Sequence, residues 1–271
     1  MVMQERNHHQ MTSQLLGEKV YEEYGLKVIP REIFARNYFH YKGGEHCVFG
    51  GPSKRGKTEL AFDLLSIVAT PELPAYVAVS KPTDKVTKTY GERLHFRFVD
   101  NWPPQRKISE WWDGRPRGYV IWPHFGVINA DFSNAAAVTA RLMADRYTAS
   151  ARHKKHSAGI LVMDDTMVKA KVMGLDNQMV TILAMAGAMD IGLWVFVQKP
   201  TDSGRTPLWA YENGDHYFFA KGGDQRMLYR YMQVGSAGEK ANTVIEVLPK
   251  LEEFQFLYIH QDEICIVDRK P

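Results

Sequence analysis

The residues Gly51-Pro52-Ser53-Lys54-Arg55-Gly56-Lys57-Thr58 follow the pattern G-x-x-x-x-G-K-[ST] at every fixed position. These types at this spacing suit one task, the cradling of a phosphate chain. Glycines let the backbone curl until successive N–H groups converge on anionic oxygens. A helix that opens at the end of the loop adds the positive end of its dipole. Lys57 can reach the β- and γ-phosphates, and the Thr58 hydroxyl can join the coordination of Mg²⁺. The flanks agree with the loop. His46–Phe49 is a short apolar run that enters it. Thr58–Val68 leaves it with Leu60, Ala61, Leu64, Leu65 and Val68 at helical spacing.

A second site of chemistry lies at Gly159-Ile160-Leu161-Val162-Met163-Asp164-Asp165, an apolar run that ends in two carboxylates. Beside a phosphate loop, Asp164 is expected to hold Mg²⁺ directly or through water. Asp165 is expected to orient or deprotonate an attacking water. The second carboxylate favours hydrolysis over simple phosphotransfer. A third run, Leu193–Val197, ends in Gln198-Lys199-Pro200. In a parallel sheet Gln198 would stand at the carboxyl edge, where ligands bind, and its amide could touch both the γ-phosphate and the water. No N-K-x-D motif is present, so nothing selects guanine, and ATP is the expected nucleotide. The expected catalytic set is Lys57, Asp165 and Gln198, with Thr58 and Asp164 as metal ligands.

These residues need strands that end together at one edge of a sheet. Further strands are predicted at Leu26–Ile29, Ala75–Val79, Leu94–Val99 (an edge strand), Tyr119–Trp122 and Tyr217–Ala220. A closing hairpin is predicted from Phe256–Ile259 and Ile264–Val267. Helices are predicted at Ala135–Arg152 and Met179–Met189. Short apolar strands alternating with helices point to an α/β fold, a mainly parallel P-loop NTPase sheet sandwiched by helices, with additional C-terminal strands. Residues 1–40 are read as an arm or small preface and 41–271 as the ATPase domain. Asp100–Arg117, rich in Pro and Trp, fits no period and is read as a loop or insertion.

Composition bounds the rest. A chain of 271 residues suits one large α/β domain. The net charge of +3 excludes a strong, uniform electrostatic signature for nucleic acid. Cys47 and Cys265 cannot build a disulfide framework and read as small buried residues in a reducing, intracellular setting. No run reaches the ~20 apolar residues that span a bilayer. The basic residues Arg141, Arg146, Arg152, Lys154 and Lys155 read as a solvated helix face. Trp102, Trp111 and Trp112, interleaved with Arg106, Lys107, Arg115 and Arg117, read as a packed loop or subunit contact before a platform for bases. His153 and His156 read as surface residues, and the methionines from Met163 to Met189 as core filler.

In chain order, GGPSKRGKT, YVAVSKPTD, ILVMDDT and DIGLWVFVQKP resemble the FtsK–HerA-type P-loop ATPases, notably the DNA-packaging ATPases of large DNA viruses and membrane-containing phages. The resemblance covers about residues 45–200. It implies a RecA/FtsK-like sheet and a sensor role for Gln198. It further implies action on double-stranded DNA, assembly into a ring (hexamer or pentamer), contact with virion vertex or capsid proteins, and a place in the host cytoplasm or the virion. Such rings complete each site with a neighbour's arginine, for which Arg141, Arg146, Arg152, Arg205 and Arg226 are candidates. One departure stands out: Ala186-Gly187-Ala188-Met189, before the Gln strand, lacks the basic residue that the family often carries there. Two other readings remain open. One is a phosphotransferase with an arginine lid drawn from Arg141, Arg146 and Arg152. The other is a nucleotide-gated assembly or secretion ATPase. The C-terminal strands exceed what a minimal kinase needs.

Overall fold

A computed structural model describes residues 23–105, 114–124, 132–152, 157–185, 189–198, 205–222, 240–261 and 263–269, without the side chains of 205–208 and 240–242. Ten strands form a single sheet. In chain order they are β1 (Val28–Pro30), β2 (Cys47–Gly50), β3 (Ala75–Ala78), β4 (Arg97–Val99), β5 (Gly118–Ile121), β6 (Gly159–Met163), β7 (Ile191–Val197), β8 (His216–Ala220), β9 (Phe256–His260) and β10 (Glu263–Asp268). Across the sheet they run β1-β10-β9-β8-β2-β7-β6-β3-β5-β4. Every strand except β9 points the same way, because β9 pairs antiparallel with both β8 and β10.

Helices cover both faces. The α-helices are α1 (Arg31–Asn37), α2 (Lys57–Val68), α3 (Lys85–Arg93), α4 (Ser133–Ala151), α5 (Asp176–Ala184), α6 (Arg205–Glu212) and α7 (Lys240–Val247). Alternation along each strand divides the core in two. On one face Phe49, Ile160 and Val162 pack with Phe34 of α1 and with Leu60, Leu64 and Leu65 of α2. On the other, Val48, Leu161 and Met163 pack with Leu142 of α4, Met179 of α5, Tyr211 of α6 and Val247 of α7. β2, β3, β6, β7 and β8 are buried along their whole length. That double burial is why they appear in the sequence as unbroken apolar runs.

The observed strands follow the sequence expectations, whereas helices α1, α3, α6 and α7 were not predicted. Residues 28–37, from the segment read as a preface, are built into the sheet: β1 pairs in parallel with β10, and Phe34 is fully buried. Helix α3 went unpredicted because its sequence KVTKTYGER has no apolar stripe and its buried residues are only Thr87 and Gly91. The helix expected over Met179–Met189 starts earlier and ends at Ala184. Within Asp100–Arg117 the described residues 100–105 and 114–117 include two that pack against the fold. Trp102 is buried, and its indole N–H donates to Asp145 Oδ2 at 3.0 Å. Arg117 donates to the carbonyls of Leu65 and Ser66 at 3.2 and 2.6 Å. Both cysteines are free and buried.

The amino ends of β2 and β8, remote from the phosphate loop, enclose a polar cluster. His46 Nδ1 accepts from the Leu193 N–H at 2.8 Å. His216 lies between the Tyr258 hydroxyl (2.9 Å) and Glu45 Oε2 (3.0 Å). Burial pulls both imidazoles below their ordinary value. For His216 this outweighs the hydrogen bond to Glu45, which pulls the other way. The unfolded chain therefore binds more protons than the folded one just below about pH 6.5. Stability should be flat above that pH and fall beneath it, by at most about 1.4 kcal/mol per imidazole near pH 5.5. Urea unfolding midpoints at a series of pH values check this, and a midpoint unchanged down to pH 5 would contradict neutral buried imidazoles.

Candidate nucleotide site

Sheet register assembles the site. Gly50 of β2 lies opposite Val197 of β7, and the Gly51 N–H donates to the Val197 carbonyl at 3.0 Å, so Gln198 emerges beside the start of the loop. Met163 of β6 lies opposite both Val195 of β7 and Ala78 of β3. The residues that follow, Asp164-Asp165 and Ser80-Lys81, therefore leave the same edge side by side.

The loop keeps its curl through two glycines. Gly51 has φ +132°, and a Cβ there would lie 2.8 Å from Ala220 Cβ on β8. Gly56, with φ +80°, caps α2, and a Cβ there would lie 2.9 Å from the Phe254 ring. At neither position is there room for a side chain. Above the loop is a cavity of about 540 Å³. Its walls include Ser53, Lys54, Arg55, Gly56, Lys57, Thr58, Asp164, Asp165 and Gln198. Gly51 and Pro52 contribute from behind, their carbonyls accepting from Lys57 Nζ at 2.6 and 2.7 Å. Residues read from three separate runs of sequence thus face one space.

Its electrostatics are those of buried charge awaiting partners. Lys57 is 8% exposed, and burial pulls its ammonium down to about 8, against the attraction of Asp164 and Asp165. Burial pushes the Asp164 carboxyl up, against the pull of Lys169 and Lys81. Asp164 Oδ2 is buried and makes no hydrogen bond. An orphaned carboxylate oxygen in a cavity that Thr58 also lines fits a hard cation. Among the described residues no group of His, Cys, Asp and Glu could hold a metal alone. Mg²⁺ does not need such a group, since it is commonly held by one or two carboxylates, waters and phosphates.

Several residues of this site went unread in the sequence. Lys81 Nζ pairs with Asp165 Oδ2 at 3.5 Å while 53% exposed. Ser80 Oγ donates to the Asp164 carbonyl at 2.8 Å. Lys169, wholly buried, donates to Ser80 Oγ at 2.9 Å and also to the Asp164 carbonyl. Burial draws its ammonium down to about 8. It comes from a π-helical turn, Val168–Val172, that follows the acid pair directly, and such turns recur at functional sites. Asp84 caps α3 by accepting from the Thr87 N–H at 3.0 Å, which steadies the loop that carries Lys81.

Of the arginines read as a solvated face, Arg141 and Arg152 are exposed and Arg146 is half-buried. Arg141 donates to the Trp102 carbonyl (3.1 Å) and to Asn101 Oδ1 (2.7 Å). Arg146 donates to the Tyr76 hydroxyl (3.1 Å), and its guanidinium lies 5.3 Å from that ring's centroid. Both clamp the Trp102 loop to α4. Arg152 is exposed at the end of that helix. Arg226, His153, His156, Lys154, Lys155, Arg106, Lys107, Trp111 and Trp112 lie outside the described residues, as does the side chain of Arg205.

No family model matches the chain, and no curated protein matches it in sequence. Solved structures do match in shape. The DNA-packaging ATPase B204 of Sulfolobus turreted icosahedral virus is 12% identical, with 85% of this chain and 100% of that one covered at a TM-score of 0.54. The genome packaging NTPase B204 of Sulfolobus turreted icosahedral virus 2, in complex with AMPPCP, is 14% identical, with 85% and 100% covered at 0.55. VirB4 of Thermoanaerobacter pseudethanolicus is 9% identical, with 83% and 89% covered at 0.56. This chain has the P-loop ATPase fold. At these identities the likeness speaks for architecture alone, and the P-loop fold places the glycine-rich loop at the carboxyl edge of β2, as the sequence predicted.

Gly51 offers a direct check on the loop. Gly51→Ala meets both an unfavourable φ and the Ala220 side chain, whereas Gly174→Ala, at φ +66° with nothing within 4 Å of its Cβ, meets only the first. Each φ penalty is about 1–3 kcal/mol. The Gly51 variant should lose clearly more stability in denaturant titrations than the Gly174 variant. Equal losses would mean that β8 yields and the loop is looser than described.

Proposed function

We propose that this chain is an ATP-hydrolysing motor that translocates double-stranded DNA, in viral genome packaging or a related transfer step. One observation carries the reading: the phosphate loop, the acid pair and the amide of Gln198 converge on a single cavity in a fold shared with DNA-packaging ATPases. Residues 41–271 would form the motor domain, and 28–37 would fasten to its outer strand. Assembly into a ring of five or six copies, with an arginine from a neighbour and contacts to a virion vertex or capsid, belongs to the same proposal.

In this mechanism the main-chain amides of residues 51–58 hold the triphosphate. Lys57 leaves the Gly51 and Pro52 carbonyls for the β- and γ-phosphates. Thr58 and Asp164 would hold Mg²⁺, which supplies neutralisation of charge on the phosphate oxygens. Asp165 orients and deprotonates a water for in-line attack on the γ-phosphorus, and the ADP oxygen leaves on the opposite side. Gln198, set beside Gly51, senses the γ-phosphate through its amide. Ser80 and Lys169 hold the backbone of Asp164, so that both carboxylates keep their aim.

The phosphotransferase alternative called for an arginine lid. Arg141 and Arg146 are engaged with Trp102, Asn101 and Tyr76, which favours the motor. The expected results are these. Lys57→Ala weakens ATP binding at least about tenfold. Asp165→Asn leaves binding within a few-fold and lowers turnover by about 10²–10⁴-fold. Duplex DNA raises wild-type turnover, and light scattering finds an oligomer with nucleotide. A chain that hydrolyses ATP at one rate with or without DNA and stays monomeric would refute the motor. Phosphorylated small-molecule products would support the phosphotransferase in its place.

A further inference from the structure

The nucleotide cavity has two ends, and strand order distinguishes them. Asp164, Asp165 and Gln198 stand on one flank of β2, at the tips of β6 and β7. Phe254 enters the cavity from the other flank, on the turn before β9, with Arg269 just beyond β10. A triphosphate laid along the loop with its γ end toward the acids must send its nucleoside toward Phe254.

The turn that carries Phe254 is held from several sides. Arg31, 4% exposed, donates to the Phe254 carbonyl at 3.3 Å and to Asp63 Oδ2 at 3.1 Å. Glu253 pairs with Arg55 of the phosphate loop at 3.6 Å. The Gln255 side chain donates to Asp268 Oδ2 at 2.8 Å and accepts from the Glu252 N–H at 2.9 Å. Phe254 itself has φ +67°. A bulky residue adopts that region at a penalty, and only where its surroundings enforce it. The outcome is a half-buried ring against Gly56, with the Arg269 guanidinium 4.9 Å from its centroid. Arg269 also pairs with Glu59 at 3.3 Å, one residue beyond the Thr58 hydroxyl.

We propose that Phe254 is the platform on which the base of the nucleotide stacks, with Arg269 backing the ring. The proposal rests on the triphosphate reading of the loop. An aromatic face stacks on any base, so this contact supplies affinity for nucleosides over bare polyphosphate without choosing among purines.

Calorimetric titration of the full chain in Mg²⁺ with ATP, GTP and inorganic tripolyphosphate tests it. Phe254→Ala should weaken ATP and GTP by about tenfold or more, to a similar extent, and leave tripolyphosphate within about twofold. Phe254→Leu keeps apolar bulk against Gly56 and serves where the alanine variant does not fold; it should weaken ATP several-fold with tripolyphosphate unchanged. Unchanged ATP affinity in either variant overturns the stacking role. Equal losses for ATP and tripolyphosphate also overturn it, since the ring would then only prop the loop. A wild-type chain that binds neither ligand refutes the triphosphate reading itself, and this inference falls with it.

Discussion

The parallel pairing of β2 with β7 is the constraint on which the site depends. It sets Gly51 against Val197 through a main-chain hydrogen bond and so fixes where the loop begins. Parallel strands end at a common edge, and the next two pairings carry the same register across β6 and β3. Four tips therefore lie in a row: the loop after β2, Gln198 after β7, the acid pair after β6 and Ser80-Lys81 after β3. A slip of one residue between β2 and β7 would reverse the faces of a strand buried on both sides and would carry Gln198 away from the loop. The chemistry is thus a consequence of the sheet, and the helices chiefly protect its two faces from water.

Much of this was legible because central parallel strands carry a simple signal. GILVM and IGLWVFV admit no polar residue along their length, so the first polar residues after them mark the edge. The glycine-rich loop has its own spacing rule, which made Lys57 and Thr58 visible without any structure. What stayed hidden depends on contacts between segments far apart in the chain. Lys169 looks like a surface charge in VKAKV, and only the π turn folds it beneath Asp164. Lys81 follows β3 closely, yet nothing in the sequence says that β3 neighbours β6. Phe254 reaches the cavity, with Arg269 over its ring, because β9 and β10 pair back beside β8. The same closure places β1 against β10 and so adds residues 28–30 to the sheet.

The arginines show a limit of composition read without geometry. Arg141, Arg146 and Arg152 suggested a charged, solvated helix face. Arg141 is exposed as expected but also bonds the Trp102 loop, and Arg146 is half-buried against Tyr76. Arg146 caps the stacked Tyr76 and Tyr119 rings from the helix side. Guanidinium suits this duty because it is planar, weakly hydrated and able to donate in several directions at once. Arg146, half-buried and so engaged, is costly to withdraw from its place in the fold.

The strongest argument that the loop receives an anion comes from its own charges. Lys57 and Lys169 are both buried, and burial, against the pull of Asp164 and Asp165, draws each ammonium down to about 8. Their solutions differ. Lys169 ends on a serine hydroxyl and the Asp164 carbonyl, beneath the acid pair and outside the lining of the cavity. Lys57 ends on the carbonyls of the very loop whose amides are to face a ligand. Two neutral carbonyls compensate a buried ammonium poorly, because the favourable interaction is with a dipole and the lost one with bulk water. A polyphosphate would change the balance at once, since it brings full negative charge to the lysine and acceptors to the loop N–H groups. Asp164 presents the complementary deficit, a buried carboxylate oxygen without a donor. An anion alone would worsen that deficit, and a divalent cation alone would worsen the burden on Lys57. The two together offset both deficits, which is the physical basis of the proposed metal-bound triphosphate site.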